Sequence, residues 1–131
     1  MILLDTHVLV WLVSDSGRLS RPAVREIGKA AQKGELAVAS ITLWELALLY
    51  SGGRLRTLGS IESAIRVIVE KSQVQVIELT PEIAALTTAF PESYPKDPAD
   101  RLIGATARAL GLTLITQDER IRDCPLLRSL W

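Results

Sequence analysis

Pro95-Lys96-Asp97-Pro98-Ala99-Asp100-Arg101-Leu102-Ile103-Gly104-Ala105-Thr106-Ala107-Arg108-Ala109-Leu110-Gly111-Leu112-Thr113-Leu114-Ile115-Thr116-Gln117-Asp118 reads as a capped helix, a glycine stop, a short buried strand and an acid at the strand's end. Asp97 can cap, and Pro98 suits the first helical position, where its missing N–H is not needed. Ile103, Ala107 and Leu110 recur at helical spacing, and Gly111 lies just past the end. Asp100 falls three residues before Ile103, in line with that apolar stripe, so its carboxylate is expected to point inward. Leu112 to Ile115 then forms a strand, and Asp118 emerges just beyond it.

Outward from this stretch the pattern repeats. Ile2-Leu3-Leu4 is a short apolar run ending in Asp5-Thr6, and His7 to Val13 continues at helical spacing. Ser20 and Pro22 open a second helix that Gly34 stops, and Leu36 to Ala39 is a second buried strand. Ser40 or Thr42 caps a helix that is apolar almost all round, from Leu43 to Tyr50. Such a helix is either buried on both sides or placed at a subunit interface. Gly52-Gly53 ends it, and Arg54-Leu55-Arg56 opens a connector. A helix over Ser60 to Lys71, a strand over Val74 to Glu78, and a helix opened by Thr80-Pro81-Glu82 follow. Phe90 to Lys96 is a proline-bounded loop, and Cys124 to Leu127 is read as an edge strand. Short apolar strands alternating with helices predict an α/β domain with a mainly parallel sheet. Ligands in such sheets bind beyond the carboxyl ends of the strands.

The chain has 131 residues, which suits a single domain with a proper core. It carries 15 basic and 15 acidic residues, so no basic excess advertises nucleic-acid binding and any polyanion must be gripped by local arginines. Cys124 is alone and His7 is the only histidine, which removes a disulfide framework and weakens any zinc reading. The apolar N-terminus contains Asp5 and is too short to span a bilayer. We expect a soluble, cytoplasmic protein.

The spacing of charge carries the chemistry. Asp5 is the only charged residue between Met1 and Ser14, Glu45 the only one between Leu36 and Gly53, and Asp118 the first after Arg108. An ionised carboxylate in apolar surroundings is costly without a compensating cation or hydrogen bonds. An all-oxygen set suits Mg²⁺ or Mn²⁺, ions that hold phosphate oxygens and activate water. Each acid also has a plainer role. Thr42 and Glu45 fit a capping box, Asp97 fits a cap, Asp100 complements a helix dipole, and Asp118 can cap the next turn. Taken together at one predicted edge, the acids favour a metal site. His7 is read as a packing or substrate-side residue, and Trp11, Trp44 and Tyr50 as core or interface anchors.

Four stretches resemble the motifs of PIN-domain ribonucleases, specifically the VapC-like toxins of bacterial toxin–antitoxin pairs. They are Ile2 to His7, Ser40 to Leu46, Asp97 to Ile103 and Leu114 to Asp118, in the right order and across essentially the whole chain. The resemblance implies a PIN-like three-layer α/β/α domain and a Mg²⁺- or Mn²⁺-dependent endoribonuclease acting on RNA. It also implies a homodimer and a protein antitoxin that occludes the site. Asp5, Glu45, Asp100 and Asp118 would be the catalytic, metal-holding set, with Thr6 and Thr116 supporting them. Asp97 stands as the alternative to Asp100, and Arg101 is expected to grip substrate. Two other readings are a PIN-like binding module without chemistry and a phospho-accepting receiver domain. The receiver wants adjacent acids after the first strand and a lysine after a late one, where this chain has Asp5-Thr6-His7 and Thr116-Gln117.

Overall fold

Neighbouring residues of the strands face opposite sides of the sheet, and here both sides are apolar. Leu3, Ala37, Ala39 and Leu114 belong to one buried cluster, while Leu4, Leu36, Val38 and Ile115 belong to the other. This requires helices on both faces. A computed structural model describes residues Met1 to Trp131 and has that architecture. Five strands, β1 (Ile2–Leu4), β2 (Leu36–Ala39), β3 (Gln75–Ile77), β4 (Thr113–Ile115) and β5 (Arg128–Leu130), form one sheet in the order β3-β2-β1-β4-β5. Every pairing is parallel, with Leu3 opposite both Ala37 and Leu114.

Seven helices surround it: α1 (Thr6–Ser14), α2 (Arg21–Gln32), α3 (Ile41–Ser51), α4 (Ile61–Ser72), α5 (Pro81–Leu86), α6 (Pro98–Leu110) and α7 (Glu119–Arg122). The larger core cluster joins Val8, Leu9 and Trp11 of α1 to Ala23 and Ile27 of α2 and Ile68 of α4. The smaller one seats Ile103 and Ala107 of α6, with Tyr94 and Ile121, on the other face. The result is three layers, α/β/α. No helix is long and apolar enough to cross a membrane.

Helix ends follow the expected chemistry. Ser20, Ser60 and Thr80 accept from the backbone N–H three residues on, at 3.1, 3.1 and 3.2 Å. Gly111 closes α6 in the left-handed region at φ +64°. Two expectations need correction, and one left open is decided. The last strand is Arg128–Leu130, not Cys124 to Leu127, because Cys124 still belongs to the turn after α7, its N–H bonded to the Ile121 carbonyl. Of the two placements open to the apolar α3, burial on both sides is the one that fails, since Trp44 and Leu48 are half exposed and only Thr42 and Leu46 are buried. Neither Ser40 nor Thr42 caps it: Ser40 occupies the cap position without a side-chain bond, and Thr42 lies inside the helix.

The strand order also decides where a ligand belongs. From β1 the chain moves outward through β2 to β3, then returns to the other side of β1 for β4 and β5. The reversal falls between β1 and β4, and the crevice beyond their carboxyl ends is the general ligand position in such sheets. A receiver-type domain has the order 2-1-3-4-5, which this sheet does not have.

Candidate active site

Asp5 follows β1 directly and caps α1, so it stands at the mouth of that crevice. One of its oxygens accepts from the Thr6 N–H at 2.8 Å and the other from the Thr116 hydroxyl at 2.7 Å. Thr116, the residue after β4, in turn accepts from the Asp118 N–H at 3.1 Å. A single hydroxyl therefore ties the ends of β1 and β4 together across the switch point. Thr6 plays a matching part on the other side. It donates to Glu45 at 2.5 Å and lies 2.9 Å from the Thr42 hydroxyl. Its one proton is committed to Glu45, so Thr42 donates to Thr6. Glu45 is thus held from β1's end and does not close a capping box with Thr42. Thr6, Thr42 and Thr116 are all buried.

Asp100 comes from the first turn of α6. Tyr94, buried beneath that turn, donates its hydroxyl to the Asp100 carbonyl at 2.6 Å. Asp97 is the cap of α6, accepting from the Ala99 N–H at 2.8 Å. Asp118 caps α7, accepting from the Arg120 N–H at 2.9 Å, and pairs with the Arg120 guanidinium at 3.3 Å. Capping and lining the site are compatible here. Asp5, Glu45, Asp97, Asp100 and Asp118 all face one open cavity of about 660 Å³. His7, Val8, Trp11, Gln117 and Glu119 complete its wall. Gln117 and Glu119 escaped the sequence reading, since neither shows a distinctive spacing. Their adjacency to Asp118 was the one available signal.

Arg101 is not brought to this cavity. Its guanidinium donates to the Thr87 carbonyl at 3.1 Å, serving the end of α5. Arg108 and Arg128 likewise serve the carbonyls of Ala89 and Gly111. Arg18 lies over the Trp11 ring, 4.5 Å from its centroid.

Electrostatics show what the cavity lacks. Burial pushes the Asp100 carboxyl up from 3.8 to about 7, and the carboxylates of Asp5, Asp97, Glu45 and Asp118 add to the rise. Burial also raises Asp5, opposed by the hydrogen bonds from Thr116 and Thr6. Glu45 rises through burial too, opposed by its bond from Thr6. Desolvation, more than mutual repulsion, is the leading cause at all three. No group of three His, Cys, Asp or Glu side chains is arranged to hold a metal ion among them. The donor set nevertheless fits a hard divalent cation. It is all oxygen, short of positive charge, and suited to Mg²⁺, which commonly binds one or two carboxylates directly and keeps several waters.

Known proteins resemble this chain in sequence and in fold. The PIN domain family model matches residues 2–125. Ribonuclease VapC22 of Mycobacterium tuberculosis is 41% identical over 122 residues, covering 93% of this chain and 90% of its own. The VapBC2 structure from Rickettsia felis, bound to a DNA fragment from its promoter, superimposes with a TM-score of 0.75 at 19% identity. That match covers 100% of this chain and 99% of the other. FitAcB from Neisseria gonorrhoeae gives a TM-score of 0.71 at 21% identity, covering 100% and 97%. At those identities the two structures establish the fold, while the family match spans nearly the whole sequence. The chain belongs to the PIN-domain family.

Proposed function

We propose that this protein is a Mg²⁺- or Mn²⁺-dependent endoribonuclease, the toxin of a toxin–antitoxin pair, and that Asp5, Glu45, Asp100 and Asp118 carry its chemistry. One observation bears most of the weight. Acids from four separate stretches of sequence line one cavity at the switch point of the sheet, with burial raising three of them. Clefts that collect perturbed carboxylates in this way are favoured functional sites. The relative named Ribonuclease VapC22 directs the choice of substrate toward RNA.

Asp5 and Asp100 would be the principal holders of the cation, with Glu45 and Asp118 binding it directly or through its waters. When bound, such an ion supplies charge for phosphate oxygens and a more acidic water. The chain's own residues do the positioning. Thr116 and the Thr6 N–H fix both oxygens of Asp5, and Thr6 fixes Glu45. Tyr94 anchors the turn that carries Asp100, while Asp97 keeps that turn capped.

Two protein partners belong to this reading. One structural relative is a toxin–antitoxin complex from Klebsiella pneumoniae. A cognate antitoxin that covers the cavity is the corresponding partner here. A second copy of the chain is the other, supported by the exposed apolar side chains of Trp44, Leu48 and Leu79. We place the assembly in the cytoplasm.

Cleavage of an RNA panel by purified protein with Mg²⁺ or Mn²⁺ tests the activity. Asp100→Asn should lower the rate by about 10²-fold or more. Asp97→Asn should cost far less, because asparagine also caps well. Equal cleavage by parent and Asp100→Asn would remove the assignment.

A further inference from the structure

A cavity walled by carboxylates repels the phosphates on either side of the bond it cuts, so a polyanion needs a cation close by. A second cavity of about 250 Å³ adjoins the first and shares His7 and Glu45 with it. It runs along the last turns of α3, past Leu48 and Leu49, and ends at Arg54. We propose that Arg54 forms a phosphate subsite of the same cleft, binding a backbone phosphate that flanks the scissile one. The proposal rests on the ribonuclease reading and adds a path for the strand, from the carboxylates over His7 and Glu45 to the carboxyl end of α3.

The backbone prepares Arg54 for this role. Gly52 donates to the Leu48 carbonyl at 2.9 Å, and Arg54 and Leu55 both donate to the Leu49 carbonyl, at 2.9 and 3.1 Å. Gly53 makes the necessary turn at φ +76°, a conformation side-chain-bearing residues rarely adopt. Leu55 then packs against the main core. Backbone and neighbour are therefore fixed, while Arg54 itself is exposed and has no acidic partner within ion-pair distance. Other arginines differ: Arg120 is paired with Asp118, Arg101 serves a carbonyl and Arg18 lies over the Trp11 ring, and none of the three lines either cavity. Arg21, Arg25 and Arg56 are also exposed, but line neither cavity. A guanidinium with free donors beside a polyanion cleft matches phosphate in charge and geometry.

The test uses a labelled, mixed-sequence single-stranded RNA and full-length protein. Binding is measured against salt in the Asp100→Asn background, and cleavage in the otherwise parent protein. Arg54→Ala should weaken binding several-fold and flatten the slope of log Kd against log salt by about 0.7, the value for one phosphate on a single strand. In cleavage it should raise KM several-fold while kcat moves less. Arg54→Lys should keep the salt slope, and Arg25→Ala should match the parent in every measurement. An Arg54→Ala protein with the parent's affinity and slope overturns the subsite, as does an equal loss in Arg25→Ala. If the parent binds RNA without cutting it and Arg54→Ala weakens binding, the subsite stands and the nuclease reading falls. A parent that neither binds nor cuts RNA overturns both.

Discussion

Gly104 occupies the middle of α6, where glycine costs about 1 kcal/mol relative to alanine. A Cβ at this position would lie 2.2 Å from the Tyr94 hydroxyl oxygen and 2.9 Å from Cζ. Tyr94 cannot retreat easily. It is buried, stacked on Phe90 at 4.0 Å between centroids, and bonded to the Asp100 carbonyl. Gly104→Ala should therefore destabilise the fold by about 1–3 kcal/mol through overpacking, despite its better helix propensity. Displacing Tyr94 also loosens the turn that carries Asp100, so cleavage should fall with stability. A Gly104→Ala protein that melts at or above the parent's temperature would show that Tyr94 yields freely. The inward register of Asp100 was legible from Ile103 and Ala107, because it needs only the helical repeat. Tyr94 beneath Gly104 was not legible, and neither was Thr6 shared between Thr42 and Glu45. Those contacts join residues that only tertiary packing brings together.

Elements with strong end signals were readable for the same local reason. A cap and proline start α2, α5 and α6, and a left-handed glycine ends α6, so their limits are written within a few residues of the event. The last strand escaped because Cys124 to Leu127 is the more apolar stretch, while β5 is an edge strand of Arg128, Ser129 and Leu130. Pairing with Thr113 to Ile115, not hydrophobicity, selects it. α3 was legible as a helix, but its inward side was not. Apolar residues surround it, so no stripe announces which side faces inward, and packing alone leaves Trp44 and Leu48 outside at 52% and 50% exposure. If that outer side joins two copies, Trp44→Glu should dissociate them, because a charge in an apolar interface lacks compensation. Sedimentation of the parent should show a dimer at roughly tens of micromolar, a range suited to a standard interface, and the variant a monomer. The helical circular dichroism should be retained, since the outer half of Trp44 already faces water and can accept a charge there. A monomeric parent at that concentration would remove the dimer from the proposed assembly.

At the scale of the whole molecule, the crevice makes folding, protons and metal compete for the same oxygens. The folded state holds Asp100 near 7, against 3.8 for the unperturbed group, and raises Asp5 and Glu45 as well. Folded protein therefore binds protons that the unfolded chain has released, and stability without metal should fall as pH rises through the window between those values. The sign is that of an acid with a raised pKa, with stability greatest below the window and lowest above it. Added Mg²⁺ or Mn²⁺ supplies the missing positive charge and should reverse the loss, by ~2.7 kcal/mol at a hundredfold excess over Kd. That gain should shrink toward low pH, where protons occupy the ligands. Asp100→Asn removes a charge that burial penalises. Above the window and in chelator it should melt at or above the parent, while losing most of the rise that Mn²⁺ gives. A carboxylate serving only to complement a helix end behaves oppositely, its removal costing up to about 1 kcal/mol with or without metal. Thermal melts of both proteins across pH, with Mn²⁺ and with chelator, separate the two. An Asp100→Asn protein that melts below the parent in chelator and responds fully to Mn²⁺ would mean that the acids serve helix ends and hold no cation.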